Sequence, residues 1–253
     1  MDLGSAMAGD ASVEPLWLAK PSFDAALSTN RAESLQAFWR DALGLPLEER
    51  LQVREGLIQY RHPVAGSVIK LNHLAAVFTE MPLSGFRGLI IARETQAGPL
   101  DLLDPDGNRV SLVPSGTFGV GQIGMWLHVR ELARTRNFFR DALGLPVEDA
   151  AFGAVVRIGD SRLLLREDPA VAQDPAVHGP GWRSITLQVF DARRLYAQVL
   201  GRGGREGIAP QRLGSVARFA FVRDPDGNWI ELSQRASLTG PIGDDDVSPA
   251  SAA

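Results

Sequence analysis

FWRDALGLPLEE, from Phe38 to Glu49, returns as FFRDALGLPVED, from Phe138 to Asp149, one hundred positions later. A second pair of stretches repeats as well: DPDGNRVSL at Asp104 to Leu112 and DPDGNWIEL at Asp224 to Leu232, offset by 120. Two landmarks that recur in the same order make the chain a duplication. The unequal offsets place an extra 20 residues between the landmarks of the second half.

Each FxRDALGL stretch reads as the end of an amphipathic helix. Leu35, Phe38, Trp39, Ala42 and Leu43 share one face, and Thr135, Phe138, Phe139, Ala142 and Leu143 repeat that stripe. Asn30 with Glu33 forms a candidate capping box, and Gly44 and Gly144, each followed two residues on by a proline, are stop signals. Asp191 is placed to cap a third helix, DARRLYAQVL, which ends in GRGGREG; that run is read as a C-cap and loop, because a phosphate cradle would precede a helix.

Short strand-like runs lie between, at 23–28, 56–61, 67–72, 86–93, 125–129, 154–158, 162–166, 183–190, 217–222 and 229–232. DPDGN supplies a tight turn: proline fixes φ, aspartate bonds its own backbone and glycine accepts positive φ. The order strand, helix, strand, strand, strand then occurs from 22, from 124 and from 182, while only TQAGP separates the strands of the segment 86–114. The second of four modules lacks its crossover helix. The predicted class is α+β, tandem βαβββ modules paired into two half-open cup-like sheets, divided as 15–118 (modules 15–80 and 85–115) and 119–236 (modules 119–170 and 181–236), with disordered tails at 1–14 and 237–253.

Composition excludes several classes. With 45% hydrophobic and 22% charged residues and a net charge of −4, the chain has a globular balance and no basic surplus for nucleic acid. It has no cysteine, so disulfides and cysteine-held metals are out. No apolar run approaches the roughly 20 residues that cross a bilayer, and the amino terminus lacks a signal peptide's basic start, so a cytoplasmic monomer or homodimer without nucleic-acid or membrane partners is expected.

The module order, the FxRDALGL helix ends and the DPDGxxIEL-like hairpin resemble the vicinal oxygen chelate superfamily, which includes glyoxalase I, extradiol dioxygenases and bleomycin-resistance proteins. The resemblance covers residues 16 to 235. It implies paired modules curled into cups, with metal-dependent members placing His on the first strand of each paired module and Glu on the last. The first-strand positions fall on Asp24, Gly88, Gly124 and Ser184, and the carboxylate positions on Ser111 and Glu231. Glu231 has no histidine beside it in that pattern, so no standard metal site and no cofactor are expected. A noncanonical site would start from Asp24 with His73.

Strand alternation sets Trp126 and His128 on the face of position 124, Thr186 and Gln188 on that of Ser184, and Trp229 on that of Glu231. Together these would line a C-terminal cup for a small organic ligand or substrate, with His128 and Glu231 as the proton-transfer pair and Trp126, Ser184, Thr186, Gln188 and Trp229 binding it. The N-terminal cup would show Asp24, Ala26, Ser28, Ile90, Ala92, Arg109 and Ser111. His62, before Pro63, and His178 read as exposed. Three functions stay open: an enzyme without the usual metal, a protein that sequesters its ligand as the bleomycin-resistance members do, and a metal-dependent dioxygenase or glyoxalase with other ligands.

Overall fold

The computed structural model describes residues 14–79 and 81–243. The expected tails at 1–13 and 244–253 lie outside these residues, while the segment expected as tail after 236 opens with a short helix, Ala236–Thr239. No helix among the described residues is long and apolar enough to cross a membrane.

The first module comprises β1 (Asp24–Thr29), helix α1 (Ala32–Ala37), β2 (Glu49–Arg54), β3 (Leu57–Val64) and β4 (Ser67–Leu74). The second has β5 (Phe86–Arg93), β6 (Leu100–Leu103) and β7 (Arg109–Pro114). The third follows with β8 (Ile123–Val129), α2 (Leu132–Asn137), β9 (Val147–Ala150), β10 (Gly153–Ile158) and β11 (Ser161–Glu167). The fourth is β12 (Gly181–Gln188), α3 (Ala192–Gly201), β13 (Arg205–Leu213), β14 (Ala217–Arg223) and β15 (Trp229–Arg235). This is the α+β tandem-module architecture. The second module is shorter by more than its helix: among the described residues it also lacks a counterpart of β13.

The modules pair across the halves of the chain. One sheet of eight strands runs β13-β14-β15-β12-β1-β4-β3-β2, joining the first and fourth modules. The other, of seven strands, runs β6-β7-β5-β8-β11-β10-β9 and joins the second and third. We call them the large and small sheets. The expected pairing within 15–118 and within 119–236 is therefore corrected: the seams are antiparallel, with Asp24 opposite Thr186 in one and Ile90 opposite Gly124 in the other.

The DPDGN turns tie the two sheets together. In each, the first aspartate accepts hydrogen bonds from two backbone amides and an asparagine side chain: Asp104 from Asp106 and Asn108, Asp224 from Asp226 and Asn228. Gly107 and Gly227 take φ of +83° and +88°, as the turn requires. The second aspartate reaches the neighbouring module. Asp106 in the small sheet accepts from the Thr29 hydroxyl at 2.6 Å and the Arg31 Nε at 2.7 Å, and Asp226 in the large sheet accepts from the Arg130 amide at 2.8 Å. Strand pairing thus crosses the halves, and the second aspartate of each turn binds its half to itself, while Asn228 accepts from the Gly85 amide across the halves at 2.6 Å.

Helices α1 and α2 each widen into a π turn, where Leu43 and Leu143 donate to the carbonyls of Phe38 and Phe138. Their apolar stripes enter one core shared by both sheets, in which Trp39 meets Trp182 edge-on at 6.0 Å. Asp191 caps α3 as expected, accepting from the Arg194 amide at 2.9 Å. The capping box does not form: the Asn30 amide donates to the Leu74 and Ala76 carbonyls, which ties the loop after β4 to the start of α1. Strands β2, β9 and β13 carry no clear sequence signal because they are polar and half-exposed, and they owe their extension to hydrogen-bonded neighbours. In β13 the register slips between Ile208 and Gln211, where Pro210 has no amide to give.

His62 corrects another expectation: it lies on β3 and is fully buried, with Nδ1 2.9 Å from the Leu45 carbonyl oxygen. His178 is half-buried. Burial lowers the His62 pKa from 6.5, although the backbone carbonyls of Leu45 and Pro46 oppose the shift. The folded state then binds a proton more weakly than the unfolded state, so the stabilising effect is complete above pH 6.5 and is lost as pH falls below it. Asp224, whose carboxyl burial pushes up to about 6, acts with the opposite sign. Comparing thermal unfolding of wild type and His62→Gln between about pH 7.5 and roughly 5 isolates the histidine. The wild-type midpoint should fall relative to the variant on acidification; parallel profiles would refute the assignment.

Candidate functional site

The cross-pairing distributes the expected site residues over two cups. Trp126 and His128 stand on β8 in the small sheet, whereas Ser184, Thr186 and Gln188 on β12 and Trp229 and Glu231 on β15 stand in the large one. The strand-face reading holds within each strand, but the pairing of His128 with Glu231 is corrected, since they belong to different sheets. Asp24 is likewise separated from Ile90, Arg109 and Ser111.

A buried charge network fills the centre of the large cup. Lys70 on β4 donates from Nζ to Glu231 Oε2 at 2.7 Å and to the Thr186 hydroxyl at 2.7 Å, and that hydroxyl donates in turn to Glu231 Oε2 at 2.7 Å. Asp24, fully buried, accepts from Gln188 Nε2 at 3.0 Å, from the Val68 amide at 2.8 Å and from Lys20 Nζ. Burial alone would raise the Asp24 pKa; the charges of Lys20 and Lys70 and the hydrogen bonds from Lys20 and Gln188 outweigh it and hold the carboxyl below its usual range. Arg61 lies opposite Lys70 in the register and pairs with Glu49 at 3.2 Å. Ser184 is buried between Ala26 and Trp229, and the Trp229 indole is committed to the Pro175 carbonyl at 2.7 Å. Of the side chains expected to bind ligand here, Thr186 is committed to Lys70 and Glu231, Gln188 to Asp24 and Trp229 to a backbone carbonyl.

His73 sits on β4 at odd spacing from Lys70, so it faces away from the cup, beside Tyr60 and the first turns of α1. The site begun by Asp24 and His73 is therefore not assembled. Among the described residues no three His, Asp, Glu or Cys side chains converge as metal donors.

The small cup is different. Its floor is apolar, with Ile90, Ala92, Val113, Val120 and Leu164 packed together. Above them opens a cavity of about 570 Å³ bordered by Trp126, His128, Arg87, Arg109, Arg166 and Asp101. Trp126 packs edge-on against Phe118 at 5.6 Å and Phe152 at 5.0 Å, and the Arg166 guanidinium lies 4.8 Å from its ring centre. Phe118 holds a left-handed φ of +53° in the loop after β7, a conformation costing of order 1 kcal/mol that tends to persist where a loop clamps a ligand. His128 Nδ1 lies 3.3 Å from Asp168 Oδ2. Burial lowers the His128 pKa, with Asp168 opposing and the charges of Arg87 and Arg166 adding to the effect, which favours the neutral ring. A neutral imidazole oriented through Nδ1 by a carboxylate leaves its other nitrogen able to take a proton.

Arg87, Asp168 and Lys70 lie beyond the reach of sequence reasoning. Position 166 is legible in part, because β11 runs parallel to β8 and sets Arg166 beside His128; Lys70 gives no signal, since an isolated lysine in a strand reads as solvated.

Comparison with known proteins accords with this architecture. Residues 119–232 match the model of the Glyoxalase/Bleomycin resistance protein/Dioxygenase superfamily. Glyoxalase I from Zea mays is 17% identical, with a TM-score of 0.67 over 84% of this chain and 92% of that one. A single-residue mutant of the same Zea mays enzyme gives 17% and 0.64 over 84% and 94%. The bleomycin resistance determinant encoded on transposon Tn5 is 24% identical over 44% of this chain and 95% of its own, with a TM-score of 0.37. No curated protein matches the chain. At 17% identity the likeness to the Zea mays structures is one of fold.

Removing the Lys70 ammonium leaves Glu231 and Asp24 short of a counter-charge in a nearly dry setting, which costs about 3–5 kcal/mol. In urea unfolding, Lys70→Met should lose that amount, and Lys70→Met with Glu231→Leu should recover part of it. A loss below about 1 kcal/mol for the single variant would show that the network contributes little.

Proposed function

We propose that this chain, a member of the glyoxalase, bleomycin resistance and dioxygenase superfamily, binds a small organic anion with a flat apolar part in the cup of the small sheet. The observation that carries the reading is one cavity bordered by three guanidinium groups, a histidine and a tryptophan face. Arginine forks suit carboxylate or phenolate oxygens, and the Trp126 and Phe118 rings suit a planar body. The apolar floor keeps water from those contacts. The four modules complete both sheets within one chain, so a monomer suffices, and the cysteine-free composition accords with a cytoplasmic setting.

The histidine favours chemistry over sequestration. His128 stands on the border of this cavity with Asp168 behind it, and the two take the role expected of His128 with Glu231. A substrate proton next to a carbonyl or carboxyl group, held against Arg87, Arg109 and Arg166, would be within the reach of such a base. Sequestration would need the tryptophan and the arginines but not the couple.

Benzoate, salicylate and phthalate serve as probes in a tryptophan-fluorescence titration. Binding should weaken about tenfold or more in Arg109→Ala, and should weaken as salt rises, since the charges are partly exposed. Trp126→Leu should abolish the fluorescence change, and Trp229→Leu should leave it intact. A change that survives Trp126→Leu and disappears in Trp229→Leu would place the ligand in the other cup and refute the proposal.

A further inference from the structure

The centre of the large cup is built by symmetry. Its two modules are related by an approximate twofold axis through the β1–β12 seam, where Asp24 lies opposite Thr186 and Ala26 opposite Ser184. That axis exchanges Asp24 with Ser184 and Ala26 with Thr186. In the parallel pairs beside the seam, Ala26 is in register with Lys70 and Thr186 with Glu231. Lys70 is therefore the twofold counterpart of Glu231. The four side chains that this symmetry brings to the middle of the cup are Asp24, Ser184, Lys70 and Glu231.

The superfamily resemblance puts a divalent metal among these positions, and the residues present do not fit one. Two carboxylates remain, but each is already neutralised: Glu231 by Lys70 and Asp24 by Lys20. The Lys70 ammonium is an obligate donor with no lone pair to offer a metal. It stands 2.7 Å from the very oxygen that would ligate, and its side chain is only 7% exposed, so it has no easy route to swing into water. A divalent ion entering here would meet a fixed positive charge inside a low-dielectric site, where repulsion is screened little.

We infer that Lys70 takes the place of a metal ion in the large cup: its ammonium supplies the central positive charge and closes the site to divalent cations, and its replacement by a metal-donor side chain opens it. The cup's charge balance is then built into the chain and needs no added ion.

Cobalt(II) is the probe, added to the full-length chain freed of metal by chelator and followed by equilibrium dialysis and by the visible absorption of the bound ion. Wild type should take up no stoichiometric cobalt through this cup. Folded Lys70→Glu, which exchanges the ammonium for a third carboxylate beside those of Asp24 and Glu231, should gain one cobalt per chain, and the gain should be lost when Glu231→Gln is added. Lys70→His provides the same test with a neutral donor if the glutamate variant does not fold, and circular dichroism establishes folding for each. Stoichiometric cobalt in the wild type that Glu231→Gln abolishes would overturn the inference. So would the failure of both folded Lys70 variants to bind.

Discussion

The two antiparallel seams, β1 with β12 and β5 with β8, are the constraint from which everything else in the molecule follows. Each seam joins strands from opposite halves of the chain, so the first and last modules close one sheet while the middle two close the other. The second aspartates of the DPDGN turns then bind in the other sense, from the second module to the first and from the fourth to the third. Neither half can be removed without opening both sheets. The shared apolar core, with Trp39 against Trp182, lies between them.

The seams also divide the chemistry. By sending Trp126 and His128 to one sheet and Glu231 and Trp229 to the other, they create two cups of opposite character. The large cup commits its polar groups to one another, in a network where burial is offset by paired charges. The small cup has an apolar floor and keeps its charges at the rim. Its openness has a physical origin in the shortened second module: without a crossover helix and without a counterpart of β13, the sheet ends at β6, and the cavity extends to Pro99 and Asp101 at that edge.

Much of this is legible from local pattern. The helix stripes, the glycine stops, the turn chemistry of DPDGN and the face of each inward strand follow from periodicity and backbone preference, and so does the missing helix of the second module. Pairing is not legible, because alternation fixes which face a side chain takes and says nothing about which strand lies beside it. Pairing the modules within each half sets His128 with Glu231, whereas its carboxylate neighbour is Asp168. Lys70 and His62 are hidden for a related reason: lysine and a histidine before proline carry the signature of solvent, and only tertiary contacts bury them.

The indole region of a proton–nitrogen correlation spectrum tests the division of the cups most directly, because the five tryptophans give five separate reporters. On addition of a bound aromatic carboxylate, the Trp126 indole signal should move and the Trp229 signal, fixed by its bond to the Pro175 carbonyl, should stay. Movement of Trp229 with Trp126 unmoved would contradict the account.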